Sequence, residues 1–186
     1  MHGDEMKYIK KVFDTNWVAP LGPNVNEFEK ELAAYMGIGH GAVLVSGMAA
    51  LHLDVKLAGI KAGDVVFCSD LTFSATVTPV PYEGGVQVFI DSENETWNMD
   101  PHALEKAFEK YPDCKAVICA NLYSTPANLD QIKEICDTHG ATLIEDAVES
   151  LSSTYKGRQT GIFGKYNAIS LHGDKFYTEH YEPKTA

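Results

Sequence analysis

Residues 116–146 read AVICANLYSTPANLDQIKEICDTHGATLIED, and this stretch decides the fold. Two short apolar runs, Ala116 to Ala120 and Thr142 to Glu145, are typical of buried strands. Between them, apolar residues recur at helical spacing from Leu129 to Cys136, which predicts an amphipathic helix that ends at Gly140. A strand, a crossover helix and a second strand predict two parallel strands.

The same alternation of strands and helices runs along the rest of the chain. Helices are predicted from Val25 to Met36, from Met48 to Ile60 and after Asp100, which would cap a helix that Pro101 begins. Further apolar runs typical of buried strands lie at Ala42 to Val45, Val65 to Cys68, Val86 to Ile90 and Ala168 to Leu171. We therefore expect an α/β domain with a mostly parallel sheet of about six strands and helices on both faces.

Two segments depart from this regular pattern. Pro79 and Pro81 follow the predicted strand at Val65 to Cys68, so we expect a short or broken helix there. From Phe176 onward, the sequence shows neither a strand nor a helix pattern. The expected organisation is one domain over residues 1–175 and an irregular tail over residues 176–186.

Composition and charge exclude several classes of function. The chain has 186 residues and a formal net charge of −11, which argues against non-specific binding to nucleic acid or to anionic membranes. No apolar stretch approaches the roughly 20 residues of a membrane-spanning helix, and the first residues lack the apolar core of a signal peptide. The cysteines show neither CxxC spacing nor the density of a small disulfide-rich domain. We expect a soluble, cytoplasmic protein with reduced cysteines in its core.

Polar and glycine residues follow the ends of four predicted strands, where parallel sheets bind their ligands. They are Ser46-Gly47, Asp70 to Phe73, Asp146, and Ser170 to Lys175. At Ser46-Gly47 a tight turn leads into a helix, whose free N–H groups and dipole favour an anion. Each position also has an ordinary structural interpretation: a simple turn at Ser46, a helix cap at Asp146, a core aromatic at Phe73 and a surface amine at Lys175.

The order of these segments narrows the interpretation. The motifs are VSGMAALH at 45–52, DLTFSAT at 70–76, ETWNMDP at 95–101, LYSTPANLD at 122–130, LIEDAVES at 143–150 and ISLHGDK at 169–175. Together they resemble the DegT/DnrJ/EryC1/StrS family of sugar aminotransferases, which are pyridoxal 5'-phosphate (PLP) enzymes of fold type I. The resemblance runs from about Asn16 to Lys175, nearly the whole chain, and implies the large domain of a PLP-dependent transferase.

The resemblance implies a role for each strand end in a PLP site. Lys175 would be the Schiff-base lysine, and Asp146 would pair with the ring nitrogen of the cofactor. Phe73 would stack on the ring, and Glu149, expected one helical turn past Asp146, would lie beside the ring hydroxyl. The phosphate would be held by the Ser170 hydroxyl and by the backbone N–H groups of Gly47, Met48 and Ala49.

The implied reaction transfers an amino group from an amino acid, with glutamate as the expected donor, to a nucleotide-linked keto sugar in polysaccharide biosynthesis. Asn16 and Trp17 are candidates for the substrate side, although a packed aromatic beside a helix cap explains them equally well. Related sugar dehydratases replace the lysine, commonly with histidine. Transamination is favoured because the aligned residue is Lys175, while His172 lies earlier in the motif. A nicotinamide-binding Rossmann domain is less favoured because no GxGxxG follows the first predicted strand.

The chain departs from the family at several positions. Met48 stands where the family has Thr or Ser, so one hydroxyl contact to the phosphate would be missing, at a cost on the order of 1 kcal/mol. Ser124 stands where glycine is usual. Relatives continue after the lysine into an antiparallel strand, which lies between the first and sixth strands of the sheet, and into a small C-terminal domain that we expect to be absent here.

Two expectations follow from these departures. Backbone groups that the missing strand leaves unpaired would need another partner, and relatives build each active site from two subunits, so we expect a homodimer or a higher homo-oligomer. The chain is then either an aminotransferase or a truncated, non-catalytic domain of the same family that binds PLP or serves in assembly.

Overall fold

The computed structural model describes residues 3–171, and the chain divides into two units, Met1–Val43 and Leu44–Ala186. The first unit contains helices α1 (Glu5–Asp14) and α2 (Pro23–Met36). Pro23 occupies the first turn of α2, and Gly37 ends the helix in the left-handed conformation that helix C-termini favour. The helix predicted from Val25 to Met36 is therefore confirmed.

The second unit contains a parallel sheet flanked by helices. Its elements in chain order are α3 (Gly47–Leu57), β1 (Val65–Ser69), α4 (Ser74–Val77), α5 (Pro79–Tyr82), β2 (Val86–Ile90), α6 (Pro101–Lys110), β3 (Ala116–Ala120), α7 (Leu129–His139), β4 (Thr142–Ala147), β5 (Thr154–Tyr155), β6 (Arg158–Gln159) and β7 (Tyr166–Ile169). The order of the five-stranded sheet is β2-β1-β3-β4-β7, and its pairings are parallel. β5 and β6 form a separate antiparallel hairpin.

Helices cover both faces of the sheet because successive side chains of a strand point to opposite sides. Val66 of β1 belongs to a buried apolar cluster that includes Leu51 of α3. Phe67, the next residue, belongs to a second cluster that includes Phe108 of α6 and Ile132 of α7. The rings of Phe67 and Phe108 meet edge to face, with centroids 4.9 Å apart. The α/β class and the parallel sheet predicted from the sequence are confirmed.

The helix boundaries follow local signals in the sequence. The carboxylate of Asp100 accepts the N–H of His102 at 2.9 Å and caps α6, as predicted. Gly140 ends α7 in the left-handed conformation. The segment with Pro79 and Pro81 is broken into the single turns α4 and α5, which confirms the short or broken helix expected there.

The strand predicted at Ala42 to Val45 is not formed. Within residues 3–171 no β-ladder includes this segment, and the side chain of Val45 is 95% exposed. A strand requires a hydrogen-bonded neighbour. In the described part of the chain β7 pairs with β4 alone, and residues 42–45 pair with no strand. The antiparallel strand that the family resemblance places after Lys175, and the tail predicted at 176–186, lie outside the described residues.

Candidate functional site

The candidate site lies at the edge of the sheet where the parallel strands end. Its predicted residues come from the N-terminus of α3, the segment after β1, the end of β4 and the segment after β7. All of these segments belong to the second unit. Lys175, predicted as the Schiff-base lysine, lies outside the described residues, so its position stays a prediction.

The N-terminus of α3 presents backbone N–H groups at this edge. Ser46 has an extended backbone, and its Oγ accepts the N–H of Ala49 at 3.2 Å, which caps the helix. Among the described residues, the N–H groups of Gly47 and Met48 make no hydrogen bond. An anion would therefore meet these two N–H groups first, while the N–H of Ala49 would be shared with Ser46.

Gly47 allows α3 to approach the ends of β4 and β7 closely. A Cβ atom added at Gly47 would lie 3.0 Å from Cγ2 of Val148 and 3.9 Å from Cβ of Ser170. The first distance is tighter than ordinary van der Waals contact, so a side chain at position 47 would displace Val148. The structure thus brings together Gly47 and Ser170, two of the residues predicted to hold the phosphate.

Asp146 is buried near the end of β4, and donors from Thr76 and Val148, both among the described residues, hold its carboxylate. Oδ2 accepts the hydroxyl hydrogen of Thr76 at 2.6 Å, and Oδ1 accepts the N–H of Val148 at 3.1 Å. Both hydrogen bonds stabilise the negative charge of the carboxylate. The alternative in which Asp146 caps a following helix is wrong, because residues 148–149 form a turn. A buried and oriented carboxylate is suited to pair with a cationic ring nitrogen.

Phe73 and Thr76 reach the site from the short helical turn after β1. The side chain of Phe73 is 68% exposed, so its alternative interpretation as a core aromatic is wrong, and the ring is accessible as a stacking surface. Thr76 is buried, and its N–H donates to the carbonyl of Phe73 at 3.0 Å. No pattern in the sequence indicates Thr76, because its partner Asp146 lies 70 residues away along the chain.

Glu149 connects the end of β4 to the turn after β3. Its Oε2 accepts the N–H of Tyr123 at 3.0 Å, and its backbone carbonyl accepts the Ser124 hydroxyl at 2.7 Å. The expected helical relation between Asp146 and Glu149 does not hold, because the chain turns at residues 148–149. Tyr123 and Ser124 both have left-handed backbone conformations, with φ of 49° and 63°. The conformation at Ser124 explains why glycine suits this position.

Glu145 supports the site from the opposite face of β4. Its fully buried carboxylate accepts the side-chain N–H of Asn121 and the backbone N–H groups of Gly161 and Phe163, each at 2.8 Å. Asn121 in turn accepts the N–H of Ala127 at 3.0 Å. This network fixes the loops that flank the end of β4. Glu145 is absent from the predicted site residues, because nothing in the sequence distinguishes it from an exposed carboxylate.

The substrate-side candidates Asn16 and Trp17 lie in the first unit. Asn16 has a left-handed backbone, with φ of 51°, and the indole N–H of Trp17 donates to the carbonyl of Leu21. Trp17 lines a pocket of about 240 Å³ together with Lys11 and Val25. A Cβ atom at Gly22 would collide with the indole. The indole thus contacts its own segment, although Trp17 is 53% exposed, and a role in binding substrate stays a prediction.

The remaining findings concern the cysteines, metal sites and membrane-spanning helices. The four cysteines are unpaired and buried, and burial raises the pKa of each thiol, which confirms reduced core cysteines. Among the described residues, no group of His, Cys, Asp and Glu side chains could hold a metal ion. Likewise, no helix within residues 3–171 is long and apolar enough to cross a membrane.

The sequence matches the DegT/DnrJ/EryC1/StrS aminotransferase family over residues 1–179. EpsN of Bacillus subtilis (strain 168), which carries the name of a pyridoxal phosphate-dependent aminotransferase, is 49% identical over 182 residues, which cover 96% of this chain and 47% of EpsN. The GDP-perosamine synthase of Escherichia coli O157:H7 is 33% identical over 95% of this chain and 48% of the synthase. The chain spans about half the length of the curated relatives it matches.

A solved structure shows the same fold. The crystal structure of a DegT DnrJ EryC1 StrS aminotransferase from Brucella abortus superposes with a TM-score of 0.80 and 33% identity, over 86% of this chain and 44% of that protein.

Proposed function

The chain belongs to the DegT/DnrJ/EryC1/StrS aminotransferase family, and from this premise we propose that it forms the cofactor-binding part of a PLP-dependent sugar aminotransferase. The reaction would transfer an amino group from an amino acid, with glutamate as the proposed donor, to a keto sugar carried on a nucleotide. The names of EpsN and GDP-perosamine synthase support this class of reaction.

One observation carries the proposal: residues from segments that are far apart in the chain lie close together in pairs at the edge of the sheet where the parallel strands end. Thr76, after β1, donates to Asp146 of β4 at 2.6 Å. Gly47 of α3 lies against Ser170, after β7, where an added Cβ would be 3.9 Å from the Ser170 Cβ. The site thus offers a buried negative charge beside a helix N-terminus, which matches a ligand with a cationic ring nitrogen and a phosphate.

The described residues would bind and orient the cofactor. The N–H groups of Gly47 and Met48 and the hydroxyl of Ser170 would hold the phosphate, and the exposed ring of Phe73 would cover one face of the ligand ring. Asp146 would hold a proton on the ring nitrogen. Bound PLP supplies an electron-withdrawing ring, which stabilises negative charge on the carbon next to the amino group.

Glu149 and Lys175 complete the proposed set. The carboxylate of Glu149 would lie near the ring hydroxyl, where it would also fix the turn at Tyr123. The amine of Lys175 would attach the cofactor and then carry a proton between the substrate carbon and the cofactor, which requires an amine that can lose its proton.

Borohydride reduction tests the cofactor part of the proposal. The full chain is mixed with PLP, reduced and digested, and the peptide that gains the cofactor mass is identified by mass spectrometry. We expect the label on Lys175, its loss in Lys175→Ala, and its retention in the matched variant Lys165→Ala, which changes an exposed lysine before β7. A protein without label on Lys175 would overturn the proposed cofactor role.

A second measurement separates an enzyme from a binding domain. Glutamate added to the PLP-loaded chain should change the cofactor absorbance and release 2-oxoglutarate in a single turnover. A labelled chain that releases no 2-oxoglutarate would instead be the non-catalytic, PLP-binding domain that is the alternative.

Assembly and location belong to the same proposal. We propose that the chain acts as a homodimer or a higher homo-oligomer in the cytoplasm, in polysaccharide biosynthesis, with a nucleotide sugar and an amino acid as its small-molecule partners. Light scattering coupled to size-exclusion chromatography should give a mass that is a fixed multiple of the 20.4 kDa chain. A monomer at all concentrations would contradict the assembly proposal.

A further inference from the structure

Asp54 is a buried carboxyl group that the proposed cofactor contacts do not use. It lies in α3 beside the buried residues Leu51 and Val55, and only 8% of its surface is exposed. Its Oδ2 is enclosed and accepts no hydrogen bond from any residue that the structure describes. An ionised carboxylate without donors is unfavourable in such surroundings, so the group favours the protonated form.

The charge that acts on Asp54 is that of Asp146. Burial, and then the negative charge of Asp146, raise the pKa of Asp54 from 3.8 to about 7. The two carboxyls are not equivalent, because Asp146 accepts hydrogen bonds from Thr76 and Val148 while Oδ2 of Asp54 accepts none in the described chain. When the two groups share one proton, Asp146 therefore takes the negative charge and Asp54 keeps the proton.

Other ionisable groups on α3 and on the elements packed against it have partners of their own. On α3, His52 and Lys56 bind Glu83, which ends α5, at 2.6 and 3.0 Å. From β7, the hydroxyl of Tyr166 donates to the carbonyl of Leu57 at 3.1 Å. The ring of Tyr82 in α5 packs edge-on against His52. The carboxylate of Glu145 in β4 accepts hydrogen bonds from Asn121 and Gly161. The sequence of α4, SATV, has no ionisable side chain.

We propose that Asp54 is a positioning residue that acts through Asp146, and that it releases its proton when a cationic ring nitrogen binds to Asp146. Before binding, neutral Asp54 and ionised Asp146 carry one net negative charge. After binding, two carboxylates and one cationic nitrogen again carry one net negative charge, and the proton from Asp54 has gone to the solvent. The buried group thus accepts a cation without changing its total charge, and affinity becomes linked to pH.

This inference rests on the proposed function only for the identity of the ligand. The first experiment therefore uses the protein without ligand. Carbon-13 NMR of the full chain follows the aspartate carboxyl signals against pH, and Asp54→Asn identifies the Asp54 signal by its disappearance. We expect a midpoint near 7 in the wild type and a lower one in Asp146→Asn. A midpoint near that of exposed aspartates, or one that Asp146→Asn leaves unchanged, would overturn the inference.

The ligand experiment uses pyridoxine 5'-phosphate, which lacks the aldehyde and cannot react with a lysine. Titration calorimetry in two buffers with different ionisation enthalpies measures the protons released on binding. At about pH 7, where Asp54 is about half protonated before binding, the wild type should release up to about half a proton more than Asp54→Asn, because the bound cation lowers the pKa of Asp54. Between about pH 6 and about pH 8 the wild-type affinity should therefore rise more than that of Asp54→Asn, by a factor that approaches about tenfold as the pKa of Asp54 in the complex falls well below about 6.

The control is Asp130→Asn, which removes an exposed carboxylate that binds Lys156 at 2.8 Å. This variant should release as many protons as the wild type. Should Asp54→Asn fail to fold, the wild type with and without ligand still decides, because the aspartate signal with a midpoint near 7 should titrate at a lower pH when the ligand saturates the protein. Binding with equal proton release in the wild type and Asp54→Asn would overturn this inference alone. A wild type that binds no ligand would overturn the proposed function, and the ligand-linked step with it.

Discussion

At the scale of single residues, the site depends on hydrogen bonds between groups far apart in the chain. Thr76 and Asp146 illustrate this, because a neutral hydroxyl donates to a buried carboxylate across 70 residues of sequence. A hydrogen bond to a charged group contributes more than one between neutral groups. The Thr76 hydroxyl therefore stabilises the fold and also orients the carboxylate.

Replacing Thr76 by valine should be costly, because it keeps the shape but removes the hydroxyl from Asp146. We expect a loss of about 1.5–3 kcal/mol in the free energy of unfolding, measured by urea denaturation. The control is Thr78→Val, which removes a hydroxyl that donates to the neutral carbonyl of Ser74. Equal losses in the two variants would show that the charge of Asp146 adds nothing to the hydrogen bond.

Ser124 allows the cost of a left-handed backbone to be measured separately from a hydrogen bond. Both Ser124→Ala and Ser124→Gly remove the hydroxyl that donates to Glu149, but only glycine adopts φ of 63° without steric cost. We expect the glycine variant to be more stable than the alanine variant by about 1 kcal/mol in urea unfolding. An alanine variant of equal or higher stability would contradict this.

Asp54 should make stability depend on pH in a defined direction. Its pKa is raised from 3.8 to about 7 on folding, so its contribution is fully present below about pH 4 and is lost as the pH rises to about 7. The loss is about 1.4 kcal/mol for each unit by which the pKa is raised. Urea unfolding of the wild type and Asp54→Asn from about pH 4 to about pH 8 should show the variant gaining relative stability as the pH rises. A difference that does not change with pH would contradict the prediction.

At the scale of elements, α3 approaches the strand ends closely because residue 47 is glycine. Gly47→Ala would place a Cβ atom 3.0 Å from Cγ2 of Val148. Val148→Ala removes Cγ2 of Val148, so in this background Gly47→Ala should lower the free energy of unfolding by less. A double-mutant cycle read by urea unfolding and by pyridoxine 5'-phosphate affinity should give a coupling energy of about 1 kcal/mol. Additive effects would show that the approach is looser than the structure indicates.

The elements also show what could be predicted from the sequence. β3 and β4 were predictable because their apolar residues are short runs bounded by polar turns, and α6 and α7 because Asp100 and Gly140 mark their ends. Residues 42–45 carry the same apolar signal but form no strand in the described chain. The pattern of side chains shows that a segment is suited to a sheet. A strand also requires a hydrogen-bonded neighbour, and whether one is present depends on a different segment of the chain.

The same distinction applies to the candidate site. Phe73 and Asp146 could be expected at this edge because they follow or end a strand, and parallel strands end at one edge. Gly47 was expected there as the start of a helix, although the strand predicted before it is not formed in the described chain. Thr76 and Glu145 were not, because their roles are defined by partners that only folding brings near. The helical relation of Glu149 to Asp146 failed for a local reason: residues 148–149 form a turn.

At the scale of the whole molecule, the second unit contains both apolar clusters and every described residue of the proposed cofactor site. The residues that would bind the cofactor therefore belong to the same unit as the residues that form the core around the sheet. Ligand that binds only the folded state adds to its stability. A chain whose Asp146 and α3 N-terminus bind pyridoxine 5'-phosphate should accordingly be harder to unfold when the ligand is present.

The apolar segment Leu44-Val45 has a further consequence for the behaviour of concentrated solutions. Both side chains are exposed, Val45 almost completely, and β7 has one unpaired edge in the described chain. Exposed apolar segments and open strand edges promote association between copies, which a large net charge opposes. The net charge of −11 at pH 7 falls to zero at the isoelectric point near 5.0, so turbidity should rise steeply as the pH approaches that value.

Static light scattering against pH and concentration checks this expectation, and Val45→Thr supplies the comparison because it reduces the apolar surface without changing the charge. The variant should stay clear closer to the isoelectric point than the wild type. If both proteins become turbid at the same pH and concentration, Val45 does not mediate the association between copies of the chain. If the variant stays clear, the exchange of one methyl group for a hydroxyl group at residue 45 determines how concentrated the chain can become before it precipitates.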